Sequence, residues 1–161
     1  MEVTRSARSA EPAEVGCLAR IWYDGWQDAH VKIVPAELGR RRTLASFHER
    51  LEAMLEHVRV VGEPGEPAGF SALKGDELYQ LFVAAAARGS GVAALLLSDA
   101  EQRLAASGVT LAWLTCAIGN ERAARFYEKS GWRRAGIVVS RLDTPQGEFL
   151  LEVWRYEKDL S

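Results

Sequence analysis

The stretch 78–98, LYQLFVAAAARGSGVAALLLS, constrains the fold more than any other part of the sequence. It opens with an apolar run at 78–83, whose large and aromatic side chains are typical of a strand buried on both faces. Gly89 and Gly91 follow in a turn, and apolar residues then recur at helical spacing as far as Gly108, a common type of helix stop. The sequence therefore predicts a strand, a tight glycine turn and a helix in immediate succession.

The turn between this strand and this helix indicates an anion-binding site. Two glycines let the backbone pass close to a bulky ligand, and the first N–H groups of a helix point at whatever lies there, favouring a phosphate. For an isolated Arg88-Gly89-Ser90-Gly91 sequence, a plain strand-to-helix turn is the better interpretation. The third glycine of a dinucleotide loop and the Gly-Lys-Ser/Thr of a triphosphate loop are both absent.

Two motifs together resolve this ambiguity. Arg88-x-x-Gly91-x-Ala93, after a strand that ends at Val83, resembles the Q/R-x-x-G-x-G/A motif of the GCN5-related N-acetyltransferases (GNAT). The stretch 120–132, NERAARFYEKSGW, resembles the same family's N-x-x-A-x-x-F-Y-x-x-x-G-F/W. The resemblance implies an acetyl-CoA-dependent enzyme that uses no metal and transfers an acetyl group to a primary amine by direct attack on the thioester.

The resemblance also implies which residues bind the cofactor. In the family the loop binds the pyrophosphate, and the pantetheine arm pairs with the exposed edge of the strand, which splays away from its parallel neighbour. The residues that match are Leu81, Phe82, Val83, Arg88, Gly89, Ser90, Gly91, Val92, Ala93 and Asn120. For Asn120, a helix cap is an equally good interpretation.

Three chemical needs follow for acyl transfer: a neutral amine, a polarised carbonyl and a proton for the leaving thiolate. A backbone N–H near Val83 can polarise the carbonyl. Tyr127 matches the family tyrosine that lies beside the cofactor sulfur and is proposed to protonate it. Its alternative role is aromatic packing of the helix on the sheet.

The general base and the acceptor pocket are less sharply marked. Glu77 stands six residues before Val83, where the histone-acetyltransferase branch of the family carries the glutamate that acts as its general base. A polar start to the strand explains the presence of Glu77 equally well. Trp26, Asp28 and His30 lie in or after the first helix, where the family builds its acceptor pocket, and we expect them to bind substrate. Asp28 and His30 are also alternative bases that act through water.

The nature of the acceptor is open between two classes. Residues 21–38 resemble a W-x-x-x-Y-x-G-I/L-L/V-P segment of small bacterial members thought to acetylate small amines, with His30 and Lys32 in place of the tyrosine and the glycine. A small-molecule amine is therefore our first expectation, and a protein or peptide amine is the rival. A non-catalytic acyl-CoA-binding module is the alternative from another class.

The rest of the chain completes a mixed α/β (α+β) fold of order β-α-α-β-β-β-α-β-α-β-β, a single domain over 1–161 with one parallel strand pair in a mostly antiparallel sheet. The boundaries predicted from periodicity and turn residues are a strand at 2–6, a helix from Pro12 with a break or a bend near Gly25, a loop at 30–42, a helix capped by Thr43, strands at 58–62, 68–74 and 110–117, a helix from Asn120 to Gly131, and strands at 133–142 and 148–157. The Arg40-Arg41-Arg42 run in the loop is either a solvated face or a contact for an acidic acceptor or a cofactor phosphate.

Composition excludes several classes of protein. A length of 161 residues, 48% of them hydrophobic, suits one buried core, and a net charge of −2 gives no basic surplus for nucleic acid. No run is long and apolar enough for a membrane span, and no signal-peptide pattern opens the chain. Cys17 and Cys116 fall in apolar segments and are expected to be buried, reduced thiols of a cytoplasmic protein. The apolar last strand pair, with Trp154 and Tyr156, predicts a homodimer.

Overall fold

A computed structural model describes residues 6–161, and its central feature is a seven-stranded sheet of order β1-β2-β3-β4-β5-β7-β6. Short 3-10 turns at Pro12–Glu14, Leu55–His57 and Ala85–Ala87 link some of the elements. The strands and helices are β1 Ala7–Ser9, α1 Val15–His30, α2 Ala36–Arg41, α3 Leu44–Met54, β2 Val58–Glu63, β3 Glu66–Lys74, β4 Glu77–Val83, α4 Val92–Ala106, β5 Leu111–Ala117, α5 Glu121–Lys129, β6 Arg133–Thr144 and β7 Gly147–Asp159.

The predicted mixed α/β fold is confirmed, with neighbouring strands antiparallel except for the pair β4 and β5. The helix α4 joins these two parallel strands, as a crossover connection requires. One core lies between the sheet and α1 and α3, around Trp22, Phe47 and Phe70. A second core lies on the other face, where Leu104 and Tyr156 pack with α4 and α5.

The helix boundaries follow from the capping residues that the sequence displays. The Thr43 hydroxyl accepts a hydrogen bond from the Ser46 N–H at 3.1 Å and begins α3. The Asn120 side chain accepts one from the Ala123 N–H at 3.4 Å and begins α5. Gly108, with φ 89°, lies just beyond the end of α4 in the left-handed conformation that glycine adopts without strain.

Two predictions in the first third of the chain are wrong. No break occurs at Gly25; α1 runs through it, and the glycine is needed for packing, because a Cβ there would lie 2.7 Å from Cδ1 of Phe82. The predicted loop contains the helix α2, which a sequence pattern misses because its buried apolar contact comes from Leu38 alone. The strand predicted at 2–6 falls mostly on residues 2–5, outside the described part of the chain, and the observed first strand is β1.

Burial also corrects two expectations. Cys17 is exposed, because it lies off the apolar stripe of α1, whereas Cys116 is buried in the second core as expected. Trp154 and Tyr156 are buried, Trp154 under the guanidinium of Arg134 at 3.7 Å, so they offer no aromatic surface to a partner. The homodimer stays a prediction. None of the helices within residues 6–161 combines the length and the apolar character needed to cross a bilayer.

Candidate active site

The strands β4 and β5 separate after a single pairing, and this β4–β5 split locates the candidate site. They pair at Glu77 and Trp113 and nowhere else in the described chain, and a bulge between β3 and β4 bends β4 as it leaves. Two cavities adjoin along the split and share lining residues that include His30, Gln80 and Thr115. The two cavities are therefore neighbours on either side of the same strand residues.

We name the two cavities by their walls. The loop-side cavity, of about 520 Å³, is lined by β4, by the turn before α4 and by α5. The hairpin-side cavity, of about 470 Å³, is walled by α1, by the residues that follow α2, by α3, and by the β6–β7 hairpin. Volumes of this size suit a small ligand or the reactive end of a larger one.

The turn before α4 has the geometry of a phosphate-binding loop. Gly89 and Gly91 have φ values of 78° and 89°, and no atom lies within 4 Å of where a Cβ would stand on either of them. The N–H groups of residues 92–94, at the start of α4, have no hydrogen-bond partner in the described chain. Together with the positive end of the helix dipole, these donors favour an anion.

The predicted cofactor residues line the loop-side cavity, with Ser90 as the exception. The Ser90 hydroxyl donates to the Ala87 carbonyl instead. Directly after β4, the Ala84 N–H donates to the Ala68 carbonyl of β3 at 2.8 Å. Because successive N–H groups of a strand point to opposite edges, the Val83 N–H points into the β4–β5 split.

Tyr127 lies at the α5 wall of the loop-side cavity and has its predicted packing role, while its role as a proton donor stays a prediction. Its ring packs against Phe126 and Trp132 at centroid distances of 5.2 and 6.2 Å, and the residue is 9% exposed. Its hydroxyl has no hydrogen-bond partner within residues 6–161 and borders the cavity. Burial raises the Tyr127 pKa, so the group stays a neutral proton donor. Asn120 likewise caps α5 and also lines this cavity.

Glu77 is half-buried in the hairpin-side cavity at the base of the split. Burial raises its pKa to about 7, and nearby Asp76 adds to this, while the charges of Lys74 and Arg155 oppose it. A base works best when its pKa lies near the operating pH, so Glu77 suits proton removal from an ammonium at neutral pH.

The three predicted substrate residues separate into two groups. Trp26 and His30 line the hairpin-side cavity. The His30 Nδ1–H donates to the Trp26 carbonyl at 3.2 Å, and burial lowers the His30 pKa to about 4, which makes it a weaker base than Glu77 near neutral pH. Asp28 instead forms ion pairs with Arg88 at 3.0 Å and Arg122 at 3.2 Å, beside the phosphate loop.

Sequence reasoning left the run Arg40-Arg41-Arg42 open between a solvated face and a contact for an acidic acceptor or a cofactor phosphate, and it missed Arg50 of the hairpin-side cavity. In the run 40–42, Arg40 and Arg41 pair with Glu37 on the surface of α2, but Arg42 turns inward and is 3% exposed. Arg50 of α3 lines the same cavity. The sequence signal for the buried face of α2 is Leu38, the buried residue of that helix. In the described part of the chain, no three metal-binding side chains cluster.

Comparison with known proteins gives concordant findings. A family model described as the acetyltransferase (GNAT) family matches residues 18–132. A Rhodopseudomonas palustris structure, described as a GCN5-related N-acetyltransferase and class-II aminotransferase, is 21% identical with a TM-score of 0.76 over 99% of this chain and 98% of that one. The structure of an N-acetyltransferase from Staphylococcus aureus Mu50 is 19% identical, with a TM-score of 0.73 over 99% of this chain and 100% of that one.

A third solved structure, the PaiA N-acetyltransferase of Thermoplasma acidophilum in complex with coenzyme A, is 16% identical with a TM-score of 0.65 over 98% of this chain and 99% of that one. At these identities the structures show a common fold. None of the curated proteins compared with the chain matches it.

Proposed function

Because the chain belongs to the acetyltransferase (GNAT) family, we propose that it is an acetyl-CoA-dependent N-acetyltransferase that acetylates a primary amine of a small molecule. The observation that carries the proposal is the meeting of two cavities at the β4–β5 split, one with a phosphate-binding loop and the other with a carboxylate whose pKa is about 7. A coenzyme A complex of a related fold supports the choice of co-substrate.

The loop-side cavity fits acetyl-CoA, which supplies the acetyl group as a reactive thioester. The pyrophosphate suits the space beside Gly89 and Gly91 and the N–H groups of residues 92–94, which have no hydrogen-bond partner within residues 6–161. The edge of β4 that faces the split offers backbone hydrogen bonds to the pantetheine amides, and the Val83 N–H is placed to polarise the thioester carbonyl.

The chemistry needs three proton movements, which two side chains of the chain and solvent can carry. The Glu77 carboxylate takes a proton from the acceptor ammonium and releases it to solvent, and the neutral amine nitrogen forms its bond to the acetyl carbon as the carbon–sulfur bond breaks. The nitrogen then loses its second proton through Glu77, which leaves the neutral amide. The Tyr127 hydroxyl gives its proton to the departing sulfur, because a thiolate without solvent is costly in a buried pocket, and recovers one from solvent. No metal or redox partner takes part in these steps.

The shape of the hairpin-side cavity favours a small molecule over a peptide. The end of β6 is tied down by Arg42, which donates to the Asp143 carbonyl at 2.7 Å, and by Arg41, which donates to the Thr144 hydroxyl at 3.3 Å. These contacts hold the hairpin against the residues around α2, so that the cavity is walled on several sides. A peptide acceptor would need an open groove along the strands.

A screen of primary amines with acetyl-CoA tests the proposal. Release of the CoA thiol, together with a product mass increased by one acetyl group, is the expected result for at least one small amine. Calorimetry with CoA is run in parallel. Binding of CoA without transfer to any amine would instead identify an acyl-CoA-binding module, and faster transfer to peptides than to small amines would favour the peptide alternative.

A further inference from the structure

The hairpin-side cavity contains two arginines that have no acidic partner. Arg42 is 3% exposed, and the one hydrogen bond that its guanidinium makes in the described chain runs to the Asp143 backbone carbonyl. Arg50 is half-buried, donates to the Tyr79 hydroxyl at 2.8 Å, and lies over the Trp22 ring at 4.3 Å. Neither guanidinium forms an ion pair with a carboxylate of residues 6–161, although both line the cavity.

Leaving these two cations unpaired is energetically unfavourable. A guanidinium has five N–H donors, and each of these uses one within the described chain. The two charges also repel: burial, and then the Arg50 charge, lower the Arg42 pKa to about 10. Buried charges in proteins are normally paired, so an arrangement of this kind indicates a missing anion.

The other cations of the cavity differ from this pair. Arg155 is bound to Glu157 at 3.0 Å, and Arg141 lies 3.9 Å from Glu148. Lys74 is exposed and lies over the Tyr79 ring. The two acidic residues of the cavity wall are Glu77 and Asp143; the Asp143 charge favours the charged form of Arg42, but its carboxylate makes no ion pair with Arg42. The unmet demand for an anion is therefore specific to Arg42 and Arg50.

On the basis of the proposed acetyl transfer, we propose that the acceptor is an amino acid-like compound. Its carboxylate binds Arg42 and Arg50 while its amine lies at Glu77. A planar guanidinium matches a carboxylate in two parallel hydrogen bonds, and a second arginine completes the charge balance. One cavity then holds a site for each end of the substrate: cationic for the acid and anionic for the amine. The wall residues Trp26 and His30 lie on α1, opposite β4.

Matched acceptors test this without altering the protein. Amino acids with α-, β- and ω-amino groups are compared with their primary amides and with their decarboxylated amines, and kcat/KM is measured by thiol release. We expect the best acid to exceed its amide by about ten- to a hundredfold, the range for a charge-assisted hydrogen-bonded pair. Equal or better rates for the amides would overturn the proposal, and a preference for an aminoalkylphosphonate of equal spacing would overturn the choice of carboxylate.

Variants then assign the effect to residues. Arg42→Met and Arg50→Met should lower kcat/KM for the acid by about tenfold or more beyond any change for the neutral amide, because only the acid loses a charged partner. Arg20→Met, at an exposed arginine of α1 beside Asp24, is the matched control and should change neither. Equal losses of kcat/KM for the acid and the amide would contradict the anion site. If the Arg42 variant fails to fold, Arg50→Met alone makes the same comparison.

Binding separates this proposal from the proposed function. Calorimetry with CoA present compares the acid with its amide on the unaltered protein. If no amine is acetylated but the acid binds at least about tenfold more tightly, acetyl transfer is wrong and the anion site stands. If amines are acetylated but acid and amide bind equally, acetyl transfer stands and the anion site is wrong.

Discussion

The two cavities at the β4–β5 split are built in opposite ways. The anion site of the loop-side cavity uses backbone from one short stretch of chain, with two glycines and the first N–H groups of α4. The hairpin-side cavity is assembled from side chains of α1, α3, β4 and the β6–β7 hairpin, which are far apart in sequence. A ligand common to a whole family can be bound by backbone, whereas an acceptor that differs between members requires side chains that can change.

The largest expected effect belongs to the hairpin-side cavity. Glu77→Gln keeps the size of the side chain but removes the base, and we expect kcat/KM to fall by about a hundredfold or more. Because the Glu77 pKa is about 7, the parent's rate should rise as the pH increases through that value, and the variant should lack this step. The pH profile of thiol release measures both.

Glu49→Gln, at an exposed position of α3, is the control for this change and should keep the kcat/KM and the pH profile of the parent. A Glu77→Gln profile that overlays the parent would show that the base lies elsewhere, and His30 would then be the next candidate.

The second-largest effect is expected at Tyr127, the side chain of the loop-side cavity with a proposed role in the chemistry. Tyr127→Phe keeps the ring that packs on Phe126 and Trp132 but removes the proton, so turnover should fall by about ten- to a hundredfold with unchanged CoA binding. Steady-state kinetics and calorimetry measure the two quantities. Tyr156→Phe is the control, because that buried hydroxyl bonds to Glu128 and Arg134 away from both cavities. Parent-like turnover of the Tyr127 variant would leave Tyr127 as a packing residue.

A smaller effect tests whether backbone alone binds the phosphates. Gly91→Val places a side chain where the pyrophosphate is expected, and should weaken CoA binding by at least about tenfold. Gly108→Val matches it, since Gly108 also has φ 89° and open space at Cβ but lies at the other end of α4. Both variants should lose about 1–2 kcal/mol of stability to the left-handed backbone, and only the first should lose CoA affinity in calorimetry. Equal CoA affinities would contradict the assignment of the loop.

The smallest effect concerns stability in the hairpin-side cavity. The folded-state pKa of Glu77 is raised from 4.5 to about 7, so folding favours its protonated form, and the parent loses stability as pH rises from the lower value through the higher. The shift corresponds to at most about 3 kcal/mol, and solvent screening reduces the expected loss to about 1–2 kcal/mol. Urea unfolding should show Glu77→Gln to be more stable than the parent at about pH 8 but not at about pH 4. An equal difference at both pH values would refute the raised pKa.

The difference in construction explains what the sequence could predict. The loop, the caps Thr43 and Asn120, and the parallel strand pair follow from local residue types, whose backbone preferences act within a few positions. The inward turn of Arg42 depends on the hairpin, about a hundred residues beyond it in the chain. The raised pKa of Glu77 depends on its burial in the folded protein. Sequence reasoning could name Glu77, but it could not know the burial that shifts its pKa.

The split between β4 and β5 also leaves the sheet with an edge in its own interior. Open strand edges on a protein surface recruit other chains and cause aggregation. This edge faces a cavity between α1 and α5, where a ligand fits and a neighbouring strand does not. The fold thus contains an unpaired strand edge that is protected from aggregation. Any molecule that pairs with this edge will stabilise the native state in proportion to the logarithm of its concentration.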